Sequence, residues 1–258
     1  RGLVGSEMCI RDSFPGEFIS KTLEESKIHT DFIEVDEDTR INVKLKSGQE
    51  TEINAPGPKV TQDQFQALLT QIKNTTNKDT VIVAGSVPNS IPSDAYAQIA
   101  EITKNTGAKL VVDAEKDLVE TVLPYQPLFI KPNKDELEVM FNTTVSSDQD
   151  VVKYGKEILK KGAQSVIISL GGDGAVYVDE QQSIKAVNPQ GKVINTVGSG
   201  DSTVAGMVAG LESGLSIQDA FKQAVASGTA TAFEEDLATR DAIEKIKSQV
   251  TVSVLDGE

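Results

Sequence analysis

The sequence predicts a three-layer α/β domain on a central, mostly parallel sheet, and three observations carry that prediction. Short β-branched runs recur along the chain, amphipathic stretches of helical period separate them, and Gly-rich or Asn-containing turns follow where the strands should end. The 258 residues suffice for one large domain of this kind with a sizeable core.

The runs TVIVA at Thr80–Ala84, KLVVD at Lys109–Asp113, PLFIK at 127–131 and SVIISL at 165–170 have the length and composition of strands buried on both faces. Residues 94–105, behind Pro92 and Ser93, and residues 148–161, stopped by Gly162, carry helix start and stop signals. Strand, helix and strand in repetition imply βαβ crossovers. Earlier, residues 31–55 alternate polar and apolar side chains around a Lys46-Ser47-Gly48-Gln49 turn, with Ile41, Val43 and Leu45 on one face. That pattern predicts a hairpin with one wet face. Residues 1–13 (RGLVGSEMCIRDS) lack an initial Met and show no period long enough to dock. They read as an extraneous segment, similar to a translated adapter read-through, and the domain is expected over 14–258.

Charge and composition exclude several functions. Lys and Arg total 25 against 39 Asp and Glu, a formal charge of −14, so nucleic acid is repelled and a phosphorylated ligand needs a locally positive pocket. No apolar run approaches the roughly 18 residues of a membrane span, so no membrane partner is expected and a cytoplasmic location is. One Cys (Cys9) and one His (His29) rule out intrachain disulfides and Cys/His metal cages by counting.

Three motifs carry chemistry. In Asn195-Thr196-Val197-Gly198-Ser199-Gly200-Asp201-Ser202-Thr203 a Gly-rich turn feeds a small-residue helix with Val204, Val208 and Leu211 on one face. Gly198 and Gly200 admit an anion to the backbone, and the N–H groups of residues 199–202 would point at it with the helix dipole behind them. Asp201 at that positive end suits an ionised carboxylate able to accept a proton from an attacking hydroxyl; equally, it could simply cap the helix. Lys131-Pro132-Asn133-Lys134-Asp135-Glu136 presents an Asn and a carboxylate at a strand end. Asn133 and Glu136 suit a hydrated Mg²⁺ held through water, and they also form a capping-box pair; both can hold at once. Ser169-Leu170-Gly171-Gly172-Asp173-Gly174-Ala175 ends the last run, where its glycines would pass close to adenine or phosphate, or form a bare hairpin turn. Neither a P-loop nor a full Gly-x-Gly-x-x-Gly occurs.

In this order and on these strand ends, the motifs resemble the ribokinase-like family of sugar kinases. The resemblance implies a three-layer fold with a small β lid, Asp201 as catalytic base, and Gly198, Ser199 and Gly200 as the anion hole. It implies Asn133 and Glu136 for magnesium, and Lys131, Ser169, Gly171, Gly174 and Asn195 around ATP. Thr39-Arg40-Ile41-Asn42-Val43-Lys44 and Gly85-Ser86-Val87-Pro88 are similar to the branch that acts on phosphorylated ketohexoses. Arg40, Asn42, Lys44 and Ser86 would then bind the sugar phosphate, with guanidinium and ammonium gripping its phosphate. The implied reaction is ATP-dependent phosphorylation of fructose 1-phosphate to fructose 1,6-bisphosphate, with tagatose 6-phosphate as the rival substrate. A homodimer through the lid, spanning about residues 31–55, is also implied. The family's first strand with its sugar-binding Asp, its Gly-Gly element and further lid strands have no counterpart here, so N-terminal sheet strands are expected to be missing. An inactive nucleotide-binding fragment is the alternative from that departure.

Overall fold

The computed structural model describes residues 14–47, 49–53 and 55–255, without the side chains of 44–47 and 49–52. Residues 1–13, set apart above, and Cys9 with them lie outside the described residues. After helix α1 (Phe14–Glu25), strands β1 (Val43–Ser47) and β2 (Gln49–Ile53) form a separate two-stranded antiparallel sheet in which Val43 faces Ile53. The hairpin is shorter than its sequence pattern, because residues 35–42 run up to it without a ladder. On its apolar side, Val43 and Ile53 are 42% and 56% exposed.

Helix α2 (Gln62–Lys73) then leads into a seven-stranded sheet whose strands lie side by side in chain order. These are β3 (Thr80–Ala84), β4 (Lys109–Asp113), β5 (Phe129–Ile130), β6 (Ser165–Ser169), β7 (Ala175–Asp179), β8 (Ser183–Val187) and β9 (Thr251–Val254). Neighbours from β3 to β6 are parallel and the later pairs antiparallel, so five of the seven strands point one way. Strand β5 is shorter than the run 127–131, although the Leu128 and Lys131 N–H groups still bond to Leu110 and Val112 of β4.

The period-two alternation of the strands sorts the core into two halves. Leu110, Val112, Val166, Ile168, Val176 and Val178 face one side, packed under α3 (Ala95–Thr106), α4 (Lys116–Val122), α5 (Lys134–Phe141) and α6 (Asp148–Lys160). Val111, Ile167, Ala175 and Tyr177 face the other, under α7 (Ser199–Glu212), α8 (Ile217–Ala232) and α9 (Arg240–Lys247). These are the three layers the strand–helix alternation predicts. Helix α2 adds a third cluster, Phe65 and Leu69 against Ile99 of α3. The small-residue helix α7 lies very close to α8, since a Cβ on Gly206 would stand 2.9 Å from Ala224 Cα and one on Gly210 2.8 Å from Ala220 Cα. No helix among the described residues is long and apolar enough to cross a membrane.

Candidate active site

Because β3 to β6 are parallel, their C-terminal ends share one rim of the sheet, the side where open α/β sheets bind ligands. Each delivers polar residues there: Gly85 and Ser86 after β3, Asp113 at the end of β4, Lys131 to Asn133 after β5, and Ser169 to Gly174 after β6. The first turn of α7 meets this rim.

At the junction sits a buried ion pair. Lys131 Nζ lies 3.2 Å from Asp113 Oδ1, with the two side chains 8% and 18% exposed. A Cβ on Gly200 would be 3.3 Å from that ammonium and 4.0 Å from Asp113 Oδ2, so the glycine lets the α7 backbone settle against the pair. Burial lifts the Asp113 carboxyl above the usual carboxylate range. The attraction of Lys131 pulls it back, and the charges of Asp201 and Glu136 push it up again. Lys131 therefore offsets charge at Asp113, where the charges of Asp201 and Glu136 also reach. Asp113 was not singled out in the sequence; its signal was its position, last in a strand of the parallel set.

The turn before α7 has its own bracing. Gly198 caps the helix at φ 78°, in the left-handed region, and no side chain caps it. Ser199 N–H donates to Thr196 O and Ser202 N–H to Gly198 O, so these two are already engaged. Among the described residues no acceptor faces the N–H groups of Gly200 and Asp201, and Ser199 Oγ is buried without a partner. The anion-facing set is thus narrower than residues 199–202. Asp201 itself is exposed at this end. Asn195 braces the turn from behind: its Nδ2 donates to Glu235 O at 3.2 Å and its Oδ1 accepts from Val197 N–H.

On the neighbouring strand ends, Asn133 and Glu136 form a complete capping box at the start of α5. Asn133 Oδ1 accepts from Glu136 N–H and Glu136 Oε2 accepts from Asn133 N–H, each at 2.8 Å. Ser169 N–H donates to Pro132 O at 3.0 Å, which sets the turn 169–174 alongside residues 131–133. That turn connects antiparallel strands β6 and β7 through a 3-10 turn at Gly171–Asp173. Asn188, also missed in the sequence, donates from Nδ2 to Gly171 O at 3.0 Å and accepts from Thr229 Oγ1, tying the turn to α8. Among the described residues no three His, Cys, Asp or Glu side chains are grouped to hold a metal directly.

The third region comes from the chain before the sheet. Arg40 Nη1 donates to Ser86 Oγ at 3.0 Å across 46 positions of sequence. Asn42 Oδ1 accepts from Ala55 N–H, closing the base of the hairpin. The Lys44 side chain lies outside the described residues. Arg40 and Ser86, with Lys59 and Ser90, line an open cleft of about 510 Å³.

The model of the pfkB family of carbohydrate kinases matches residues 8–243. The chain is 42% identical over 242 residues to the 1-phosphofructokinase of Bacillus subtilis (strain 168), covering 94% of this chain and 80% of that one. It is 34% identical over 255 residues to the D-tagatose-1-phosphate kinase of Bacillus licheniformis, covering 98% and 84%. A crystal structure of a Staphylococcus aureus protein, provisionally described as a phosphofructokinase, superposes with a TM-score of 0.88 at 78% identity, over 97% of this chain and 81% of that one. The family match over most of the chain, these relatives and the site at the parallel strand ends agree, and the chain belongs to the pfkB family of carbohydrate kinases, ATP-using phosphotransferases of ribokinase-like fold.

Proposed function

We propose that residues 14–258 act as one kinase domain that transfers the γ-phosphoryl group of ATP to a hydroxyl of a ketohexose phosphate. Fructose 1-phosphate is the preferred acceptor and fructose 1,6-bisphosphate the product. The observation that carries this reading is the meeting of Asp201, the free N–H groups of α7 and the Lys131–Asp113 pair at one point. Asp201 takes the proton of the attacking hydroxyl as its oxygen bonds to the γ-phosphorus and the bond to ADP breaks. The Gly200 and Asp201 N–H groups and the buried Ser199 hydroxyl offer donors to the transferring group, in addition to Gly198, which sets the turn.

Lys131 holds positive charge near the nucleotide phosphates, and the loop Ser169, Gly171 and Gly174 flanks the nucleotide. Asn195 supports it by fixing the turn. The excess of carboxylate over ammonium around Asp113 fits a hydrated Mg²⁺, with Glu136 and Asn133 reaching it through water because part of each side chain is already spent on the helix cap. Magnesium supplies charge neutralisation on the phosphates. Arg40, joined to Ser86, grips the sugar phosphate, with Lys44 and Asn42 on the same hairpin arm. The exposed Val43 and Ile53 pair favours a homodimer through the hairpin, and the kinase works in the cytoplasm.

The direct test is ADP release with Mg²⁺ and ATP on fructose 1-phosphate, tagatose 6-phosphate and tagatose 1-phosphate. The highest kcat/KM is expected on fructose 1-phosphate; preference for a tagatose phosphate would reassign the substrate, and silence on all three would overturn catalysis by this chain.

A further inference from the structure

Tyr96, on α3, belongs to none of the residues assigned above. Its phenol donates to the Gly85 carbonyl at 2.8 Å. From the opposite side, Gly85 N–H donates to the backbone carbonyl of Asp113 at 3.0 Å. Gly85 has φ 82°, in the left-handed region, so the turn after β3 has a fixed and unusual shape clamped at both backbone groups of one residue. The next residue is Ser86, which accepts from Arg40; the residue on the other side of the clamp is Asp113, whose carboxylate holds Lys131. Gly85 thus joins the sugar-phosphate arm to the phosphoryl-transfer centre along this rim. The phenol is a lasting donor, since burial, with the nearby charge of Asp113, pushes its pKa upward and keeps the proton on oxygen. Its ring is buried in the core, 4% exposed, so its position is set by packing and not by the loop it serves.

We infer that Tyr96 is a positioning residue that fixes the distance from the Arg40–Ser86 grip to Asp201 by tethering the Gly85 carbonyl. The inference rests on the reading of Arg40 and Ser86 as the sugar-phosphate grip. Small displacements of a substrate arm are costly in phosphoryl transfer, because rate depends on near-attack geometry. Without the hydroxyl the exposed Gly85 carbonyl can turn to water, and the arm is then free to relax while the ring still fills the core.

The test compares wild type with Tyr96→Phe and, independently, Gly85→Ala, which meets no atom within 4 Å and acts through its φ alone. Amide exchange in residues 85–90 is expected to quicken in both, by roughly fivefold for the loss of one ordinary hydrogen bond, with β4 and β6 unchanged. In steady state the KM for fructose 1-phosphate should rise about as much, with the KM for ATP held within twofold, and Tyr96→Phe should add little in an Arg40→Ala background. Unchanged exchange at 85–90, or equal rises in both KM values, would overturn the tether. If wild type turned over no sugar phosphate, the kinase reading would fall, and the exchange comparison alone would still decide whether Tyr96 holds the turn.

Discussion

Replacing Lys131 with Met keeps most of the apolar stem of the side chain and removes its charge, leaving Asp113 partly buried near the charges of Asp201 and Glu136. At 3.2 Å the lost attraction is about 5 kcal/mol for an effective dielectric of ~20. Part of that is offset, because the ammonium no longer has to be desolvated, and breaking one side of a buried pair ordinarily costs about 3–5 kcal/mol. Asp113 has a further escape, since it is partly exposed and can take up a proton. A net loss of about 2–4 kcal/mol at neutral pH is the result, equivalent to roughly 5–10 °C in Tm for a chain of this size. An acid whose folded pKa lies above its unfolded value binds more protons when folded, so its contribution to stability is best at low pH and declines as pH rises from the unfolded value through the folded one. Loss of Lys131 moves the upper end of that window further up. The deficit of Lys131→Met should therefore be smallest in acid and widen as pH rises above the ordinary carboxylate range in urea denaturation, and Lys131→Met with Asp113→Asn should return to within about 1–2 kcal/mol of wild type. A deficit independent of pH, or a double variant no better than the single one, would refute the account of the pair.

Asp201→Asn should lower kcat by at least about 100-fold with both KM values within a few-fold, measured by ADP release; retained turnover would remove Asp201 from the role of base. Glu136→Gln keeps the cap's geometry and removes charge, so the Mg²⁺ concentration for half-maximal rate should rise with little change in Tm, whereas Asn133→Ala should cost about 1 kcal/mol of stability through loss of the cap. Gly228→Ala would drive a Cβ into Thr203 Oγ1 and to 2.8 Å from Ser199 O, so it should push α8 away from the anion turn. A loss of about 1–3 kcal/mol together with reduced kcat is expected, read by thermal melting and turnover.

The exposed Val43 and Ile53 and the short ladder of the hairpin show where local pattern reading stopped. Alternation in residues 31–55 marked a strand-like stretch correctly in kind. It could not say that residues 35–42 would run without a ladder, or that the apolar side would find no cover among the described residues, because cover depends on what else the chain brings there. The parallel strands were legible for the opposite reason. KLVVD and SVIISL are continuous apolar runs bounded by turns, and burial on both faces leaves them few alternatives. TVIVA, read the same way, is corrected by the structure: β3 ends the described sheet, its Ile82 is 43% exposed, and no β-branched run can say whether a further strand will cover it.

What the sequence by itself determined was the chemistry on offer. The Gly198 to Asp201 turn, the Asn133 and Glu136 pair and the Ser169 to Gly174 turn are each local, and their backbone and capping demands can be read within a few residues. Tertiary structure alone decided which of these groups meet. Arg40 reaches Ser86 across 46 positions, Asp113 becomes the partner of Lys131, Tyr96 clamps Gly85, and Gly228 makes room for the first turn of α7. Those meetings follow from the order of parallel strands and the close approach of α7 to α8, and their members lie 11 or more positions apart, beyond the few residues over which a turn or a cap can be read.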